Sequence, residues 1–239
     1  MRIDETHWLL NLPIAHRGLW GETIPENSIL AYQNAVDNGY PIEIDVYLTK
    51  DLQIVSFHDV TLKRMTGADG FIYDKTLSEL KELKLNGTEY SIPTLDEILD
   101  ICENKTPLLI EIKNQPDKRI VDVLIERLKR YTGEFCVQSF NPLYINRVKK
   151  LAPEFIRGIL ATNYAPEEKK FTQFIVKNMP LNFLIKPDFI SYYHGALPLP
   201  KRKTKNKRVI TWTVTDQETA DRIRPYAKNI IFENFIPRK

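Results

Sequence analysis

The chain has 239 residues, enough for one barrel-sized domain or two small ones, and its 43% hydrophobic content allows a buried core without disulfides. Lys and Arg number 34 against 31 Asp and Glu, and a net charge of +3 is too small to call for nucleic acid or a membrane by itself. No run approaches the ~18 apolar residues that span a bilayer. The N-terminus, Met1-Arg2-Ile3-Asp4-Glu5, carries acids and no apolar stretch of the kind that directs secretion. The expectation is a cytoplasmic protein, the whole chain being the mature form, without stable membrane insertion.

Short apolar runs alternate with helical patterns along the whole chain. Strands are expected at 13–17, 42–48, 53–57, 107–113, 134–140, 156–160, 188–193, 208–214 and 229–233. Helices are expected near 28–38, 77–85, 94–103, 117–131, 141–150, 166–178 and 216–224. In 117–131, Ile120, Val123, Leu124, Leu128 and Tyr131 recur at helical spacing, with Asp122, Glu126 and Lys129 on the outer side. The first long helix stops at Asn38-Gly39. Cys102 and Cys136 fall in a helix and a strand, lack metal or redox spacing, and read as buried reduced thiols.

Strand, helix, strand in repetition means parallel strands joined by crossovers, in an open doubly wound sheet or a closed barrel. Closure is favoured because about eight β/α units fit the length and polar residues recur at the ends of several strands. The fold class is therefore α/β, a TIM (β/α)8 barrel in a single domain over 1–239, with a small insertion between early barrel strands at about 59–106.

In Ile42-Glu43-Ile44-Asp45-Val46 the acids alternate with aliphatics, which puts Glu43 and Asp45 on one face of a strand. Two buried carboxylates cost several kcal/mol per charge unless neutralised, and a divalent cation does that directly. The pattern returns in Leu109-Ile110-Glu111-Ile112-Lys113, with Glu111 and Lys113 sharing a face. A salt-bridged surface strand is the plainer reading of either segment alone; the two together weigh against it. His16-Arg17-Gly18 and His58-Asp59 each follow an apolar strand, so two of the four histidines stand at strand ends. His7 and His194 are read as structural. Three carboxylates with no thiol make a hard, oxygen-rich site, suited to one divalent cation, Mg²⁺ or Ca²⁺, before Zn²⁺. Arg17 and Lys113 balance a phosphodiester's charge, the guanidinium by forked contacts, and two imidazoles supply an acid and a base.

These residues come in a familiar order: His16-Arg17-Gly18, Pro25-Glu26-Asn27-Ser28, Ile42-Glu43-Ile44-Asp45-Val46, Leu48-Thr49-Lys50-Asp51, and His58-Asp59 running on to Arg64-Met65-Thr66-Gly67. Ile92-Pro93-Thr94-Leu95, Glu111-Ile112-Lys113 and Trp212-Thr213-Val214 follow. The series resembles the glycerophosphodiester phosphodiesterase family over nearly the whole chain, most densely at 14–113. The resemblance implies a TIM barrel, metal ligands at Glu43, Asp45 and Glu111, and an acid/base pair at His16 and His58. It implies phosphate contacts at Arg17 and Lys113, an auxiliary role near the second histidine for Asn27, and a pocket-rim or core aromatic at Trp212. The chain departs from the family at Leu52, often Gly; at Thr215, often Asn; and at Ile231-Phe232-Glu233-Asn234, where a Thr-Asp pair is usual. None of these is a metal or acid/base position, so they bear on the alcohol group instead.

The implied reaction is hydrolysis of a small-molecule glycerophosphodiester, such as glycerophosphocholine or glycerophosphoethanolamine, to sn-glycerol 3-phosphate and an alcohol. Water or the neighbouring glycerol hydroxyl is the attacking oxygen. One alternative is a lysophospholipase D-like reaction at a membrane surface, to which Lys201-Arg202-Lys203-Thr204-Lys205-Asn206-Lys207-Arg208 brings six basic residues in eight. That run reads as a solvated loop without an apolar anchor. The other alternative, a non-catalytic phosphodiester-binding barrel, is opposed by retention of all three acids and both histidines.

Overall fold

A computed structural model describes residues 3–163, 170–204 and 207–238. Among the described residues the strands are β1 (Ile14–His16), β2 (Ile42–Leu48), β3 (Ile54–Ser56), β4 (Leu108–Ile112), β5 (Phe135–Ser139), β6 (Arg157–Ala161), β7 (Phe189–Tyr193), β8 (Arg208–Val214) and β9 (Asn229–Phe232). Each strand expectation is met to within one residue at either end. The α-helices are α1 (Trp8–Asn11), α2 (Ile29–Asp37), α3 (Lys63–Thr66), α4 (Leu77–Lys81), α5 (Leu95–Cys102), α6 (Ile120–Leu128), α7 (Pro142–Leu151), α8 (Lys170–Asn178), α9 (Asn182–Ile185), α10 (Lys201–Thr204) and α11 (Gln217–Ile223). The sheet order is β1-β9-β8-β7-β6-β5-β4-β2-β3, and β1 also pairs with β2. The chain is thus a TIM (β/α)8 barrel, with antiparallel β3 outside the ring of eight parallel strands.

Contacts gather the chain into two compact units. Ala15–Phe135 holds the early strands. Its central strand β2 is buried at every position, the acids on one face and the aliphatics on the other, as a barrel strand requires. It runs parallel to β1, with His16 opposite Glu43, and parallel to β4, with Asp45 opposite Glu111. α2 starts where the Ser28 hydroxyl accepts from the Ala31 amide at 3.2 Å, and it ends at Gly39 in the left-handed region (φ +72°). α5 carries a capping box in which Thr94 and Glu97 satisfy each other's amides. α6 buries Ile120, Val121, Leu124, Ile125 and Leu128, so its inner face is turned from the expected one: Val123 and Tyr131 are only half-buried.

After β3 the chain makes the expected excursion. It builds a core of its own from Val55, Phe57, Leu62, Met65, Ile72, Leu80 and Leu85. The helix expected over 77–85 stops at Lys81, and a short 3₁₀ turn follows at Leu85–Gly87 because Asn86 and Gly87 both take positive φ. The turn before β3 places Leu52 at φ +62°, which costs a residue with a Cβ about 1 kcal/mol and gives a physical reason for glycine at that position.

The other unit, Met1–Ile14 with Cys136–Lys239, contains the parallel ladder β5 to β9. Asn141 caps α7 with Pro142 at its first position, and Asp216 caps α11. Of the helix expected over 166–178, residues 166–169 lie outside the described residues. The basic run expected as a loop contains α10, whose Lys203 Nζ donates to the Lys177 carbonyl at 2.7 Å. Both cysteines are buried and form no disulfide. No helix among the described residues is long and apolar enough to cross a membrane.

Candidate active site

The carboxylates of Glu43, Asp45 and Glu111 converge, each offering an oxygen within 4.8 Å of the others, and all three residues are buried. Register produces this: the in-line pair Asp45 and Glu111 faces the same way from adjacent parallel strands, and Glu43 lies two residues along β2. Two oxygens that share one Ca²⁺ at ~2.4 Å are at most about 4.8 Å apart, and at most about 4.2 Å for Mg²⁺. The spacing fits a hard cation.

Charge and hydrogen bonding support that fit. Lys113 Nζ lies 2.9 Å from Glu111 Oε1 and 3.2 Å from Asp45 Oδ1, but out of line with the latter, leaving a fully buried oxygen without a hydrogen-bond donor. Asp45 Oδ2 accepts from the Asn27 side-chain amide at 3.1 Å, and Arg17 Nε stands 3.6 Å away. Burial works against ionisation of Asp45, but the charges of Lys113, His58, Arg17 and His16 outweigh it and hold its carboxyl far below the usual range. Glu43 goes the other way: burial, then the charges of Asp45 and Glu111, push it well up. A divalent cation relieves that repulsion. Across the cluster, five acids, Glu26, Glu43, Asp45, Asp59 and Glu111, stand among three fixed cations, Arg17, Arg64 and Lys113.

Arg17 is set by an unusual backbone. It adopts φ +59° and Gly18 φ +85°, and a Cβ on Gly18 would lie 2.8 Å from the Ala31 carbonyl carbon. Glycine alone lets the chain pass α2 so closely. The turn aims the Arg17 amide at Glu43 Oε2 (3.2 Å) and lets its guanidinium donate to Glu26 Oε1 at 2.9 Å. Asn27, also at positive φ, is held by the buried Tyr32 hydroxyl (2.7 Å) and by Ser56 (3.2 Å), so its amide nitrogen is left pointing at Asp45.

His58 Nδ1 lies 2.7 Å from Asp59 Oδ1. Burial would raise the Asp59 carboxyl, but hydrogen bonds from His58 and Arg64 bring it well below its usual range, so it is ionised and can only accept. Nδ1 therefore carries the hydrogen, and Nε2 is the nitrogen left to take or give a proton. Behind it, Arg64 grips Asp59 through Nε (2.6 Å) and Nη2 (3.0 Å), and Glu26 through Nη2 (2.6 Å) and Nη1 (3.1 Å). His58, Asp59, Arg64, Glu26 and Arg17 form one continuous chain of charged contacts.

Of the residues singled out in the sequence, Arg17, Asn27, Glu43, Asp45, Glu111 and Lys113 meet in this cluster. His16 and His58 both act on Asp45 through their charge. Trp212 belongs to the other unit, where its indole N–H donates to the Ser191 carbonyl at 3.1 Å and its ring packs against Phe140 and Tyr193. Asp59, Arg64 and Glu26 stood in the sequence as motif residues without a role. The one available signal was an Arg five places after an His-Asp pair; the 38-residue separation of Glu26 and Arg64 hides the rest.

With His58 in the acid/base role that the resemblance implies, Arg64→Met is expected to reduce turnover roughly 10- to 100-fold, part of the 10²–10⁴ that a positioned acid or base supplies. A merely structural arginine would leave kcat of the folded variant unchanged. The variant also tests pH linkage. Burial raises Glu26, yet the Arg64 hydrogen bonds and the Arg17 charge bring it below its usual value, the same direction as Asp59. A depressed carboxylate stabilises the fold above its unfolded pKa and loses that contribution as pH falls through its folded value. The gap in Tm between wild type and variant should therefore be widest near neutrality and shrink as pH falls below about 4.

Fold and site together define a TIM barrel with a buried acidic cluster suited to a hard cation. The glycerophosphoryl diester phosphodiesterase family model matches residues 16–237. A glycerophosphodiester phosphodiesterase from Bacillus altitudinis is 36% identical over 228 residues, covering 90% of this chain and 85% of that one. One from Caldanaerobacter subterraneus is 39% identical over 163 residues, 62% of this chain and 66% of that one. Among solved structures, an Oleispira antarctica phosphodiesterase in complex with the product sn-glycerol-3-phosphate superposes with a TM-score of 0.76 at 25% identity, covering 92% of this chain and 93% of that one. The chain belongs to the glycerophosphoryl diester phosphodiesterase family.

Proposed function

We propose that the protein hydrolyses glycerophosphodiesters such as glycerophosphocholine and glycerophosphoethanolamine to sn-glycerol 3-phosphate and an alcohol, with one Mg²⁺ or Ca²⁺ held by Glu43, Asp45 and Glu111. The observation that carries this reading is the buried carboxylate triad, set beside Arg17, Lys113 and two histidines. The product bound to the Oleispira relative supports the choice of substrate.

When bound, the ion supplies Lewis acidity and neutralises charge at the phosphoryl group. The chain's own residues do the rest. Arg17 and Lys113 bind non-bridging phosphate oxygens and orient the diester, the guanidinium being anchored from behind by Glu26. Asn27 holds Asp45 in place. One imidazole takes the proton of the attacking oxygen and the other delivers a proton to the leaving alcohol; in His58 the working atom is Nε2.

The test is release of glycerol 3-phosphate from both diesters with and without EDTA. Chelation should bring turnover to background, and added Mg²⁺ or Ca²⁺ should restore it. Full activity of metal-stripped protein would remove the triad from the reaction.

A further inference from the structure

We propose that α8, α9 and α10 form a surface that docks reversibly on anionic lipid bilayers. Three phenylalanines on α8 and α9 are displayed to solvent. Phe171 and Phe174 on α8 are 76% and 55% exposed, and Phe183 on α9 is 75% exposed, with Leu184 beside it. One helical turn separates Phe171 from Phe174, so they share a face of α8. That helix buries only Val176 among its described side chains, whereas α6, of the same length, buries five. Apolar residues presented outward in this way mark an interaction site.

The charge around them says what the surface meets. Residues 170–208 contain nine Lys and Arg and a single acid, Asp188, so this stretch alone carries +8 while the whole chain carries +3. The lone acid is turned to Arg157, accepting from its amide at 3.1 Å. Lys170, Lys177, Lys186, Lys201 and Arg202 are exposed, on α8 and α10 or just after α9. Lys203 of α10 donates to the carbonyl of Lys177 at the end of α8, and α9 follows α8 after three residues, the Asn182 amide donating to the Met179 carbonyl at 3.1 Å. The basic run, which has no apolar partner along the sequence, thus gains one in space.

Aromatic side chains that enter the headgroup region, flanked by cations for anionic lipid, are the two signals that membrane-surface binding needs. A protein groove would leave the density of exposed cations unexplained, and a second copy of this chain would bring like charges together. The long Lys and Arg stems suit an interface where the charged tip stays wet.

The test is co-sedimentation of the full chain with vesicles of phosphatidylcholine alone or with phosphatidylserine. Binding should occur only to the anionic vesicles and weaken as salt rises. Phe171→Ser with Phe183→Ser, and separately Lys201→Glu with Arg202→Glu, should each lower partitioning roughly tenfold or more. All four side chains are exposed, so hydrolysis of free glycerophosphocholine and the Tm should stay at wild-type values, which separates this proposal from the assignment of the reaction. Equal binding to neutral and anionic vesicles, or binding that survives both double substitutions, would overturn it. So would concentration-dependent dimerisation in sedimentation velocity that the phenylalanine substitutions abolish.

Discussion

Asp45→Asn is expected to lower turnover of glycerophosphocholine by roughly 10³-fold, about 4 kcal/mol in the barrier. The substitution keeps the shape of the side chain and removes one charge, so its effect isolates electrostatics. Asp45 meets positive or donor groups on both sides: Oδ2 accepts from Asn27 with Arg17 nearby, and Oδ1 faces the Lys113 ammonium as an ion pair without a hydrogen bond. An amide has one oxygen, so its NH₂ must point at a donor on one side or the other. Its neutral oxygen is also a poorer partner for a hard cation than a carboxylate. Lys113 keeps Glu111 at 2.9 Å, which limits the loss of stability to below the roughly 3–5 kcal/mol of a fully broken buried pair. Circular dichroism should show a native fold, and equilibrium dialysis should show weakened retention of Mg²⁺ or Ca²⁺. Wild-type turnover in the folded variant would mean that the carboxylate cluster is a structural feature.

The carboxylate cluster was legible in the sequence because its signal is local. Alternation of acids and aliphatics over five residues is sufficient to put Glu43 and Asp45 on one buried face, and the same alternation recurs at Glu111 and Lys113. That β2 and β4 are neighbours in register is a tertiary fact, reached through the barrel topology. The Arg64 clamp was not legible as a function, since its meaning depends on two carboxylates brought together from residues 26 and 59. Short helices such as α9 and α10 escaped for a different reason. At four residues they have little helical propensity to detect and are held by side-chain contacts from elsewhere, as Lys203 shows. The inner face of α6 was misplaced because Val123 fits a helical period as well as Val121 does, and only packing chooses between them.

His16→Ala and His58→Ala are each expected to reduce turnover of glycerophosphocholine by roughly 10²–10⁴-fold with little change in KM, since in the proposed reaction the imidazoles act on protons in transit and not on the bound phosphate. Removing the His58 ring leaves Asp59 held by two bonds from Arg64, so the local structure should persist and the loss can be read as chemistry. The two variants can then be told apart by the leaving group. Choline is a poor leaving group that needs a proton as the bond to phosphorus breaks, whereas p-nitrophenolate departs without one. On a glycerophospho-p-nitrophenyl diester, the variant lacking the general acid should recover most of its rate, while the variant lacking the general base should remain slow. Recovery by His58→Ala would assign proton donation to Nε2 of His58 and proton removal to His16; recovery by His16→Ala would reverse the roles. If both variants hydrolyse glycerophosphocholine at the wild-type rate, the imidazoles influence Asp45 only through their charge and some other group must handle the proton.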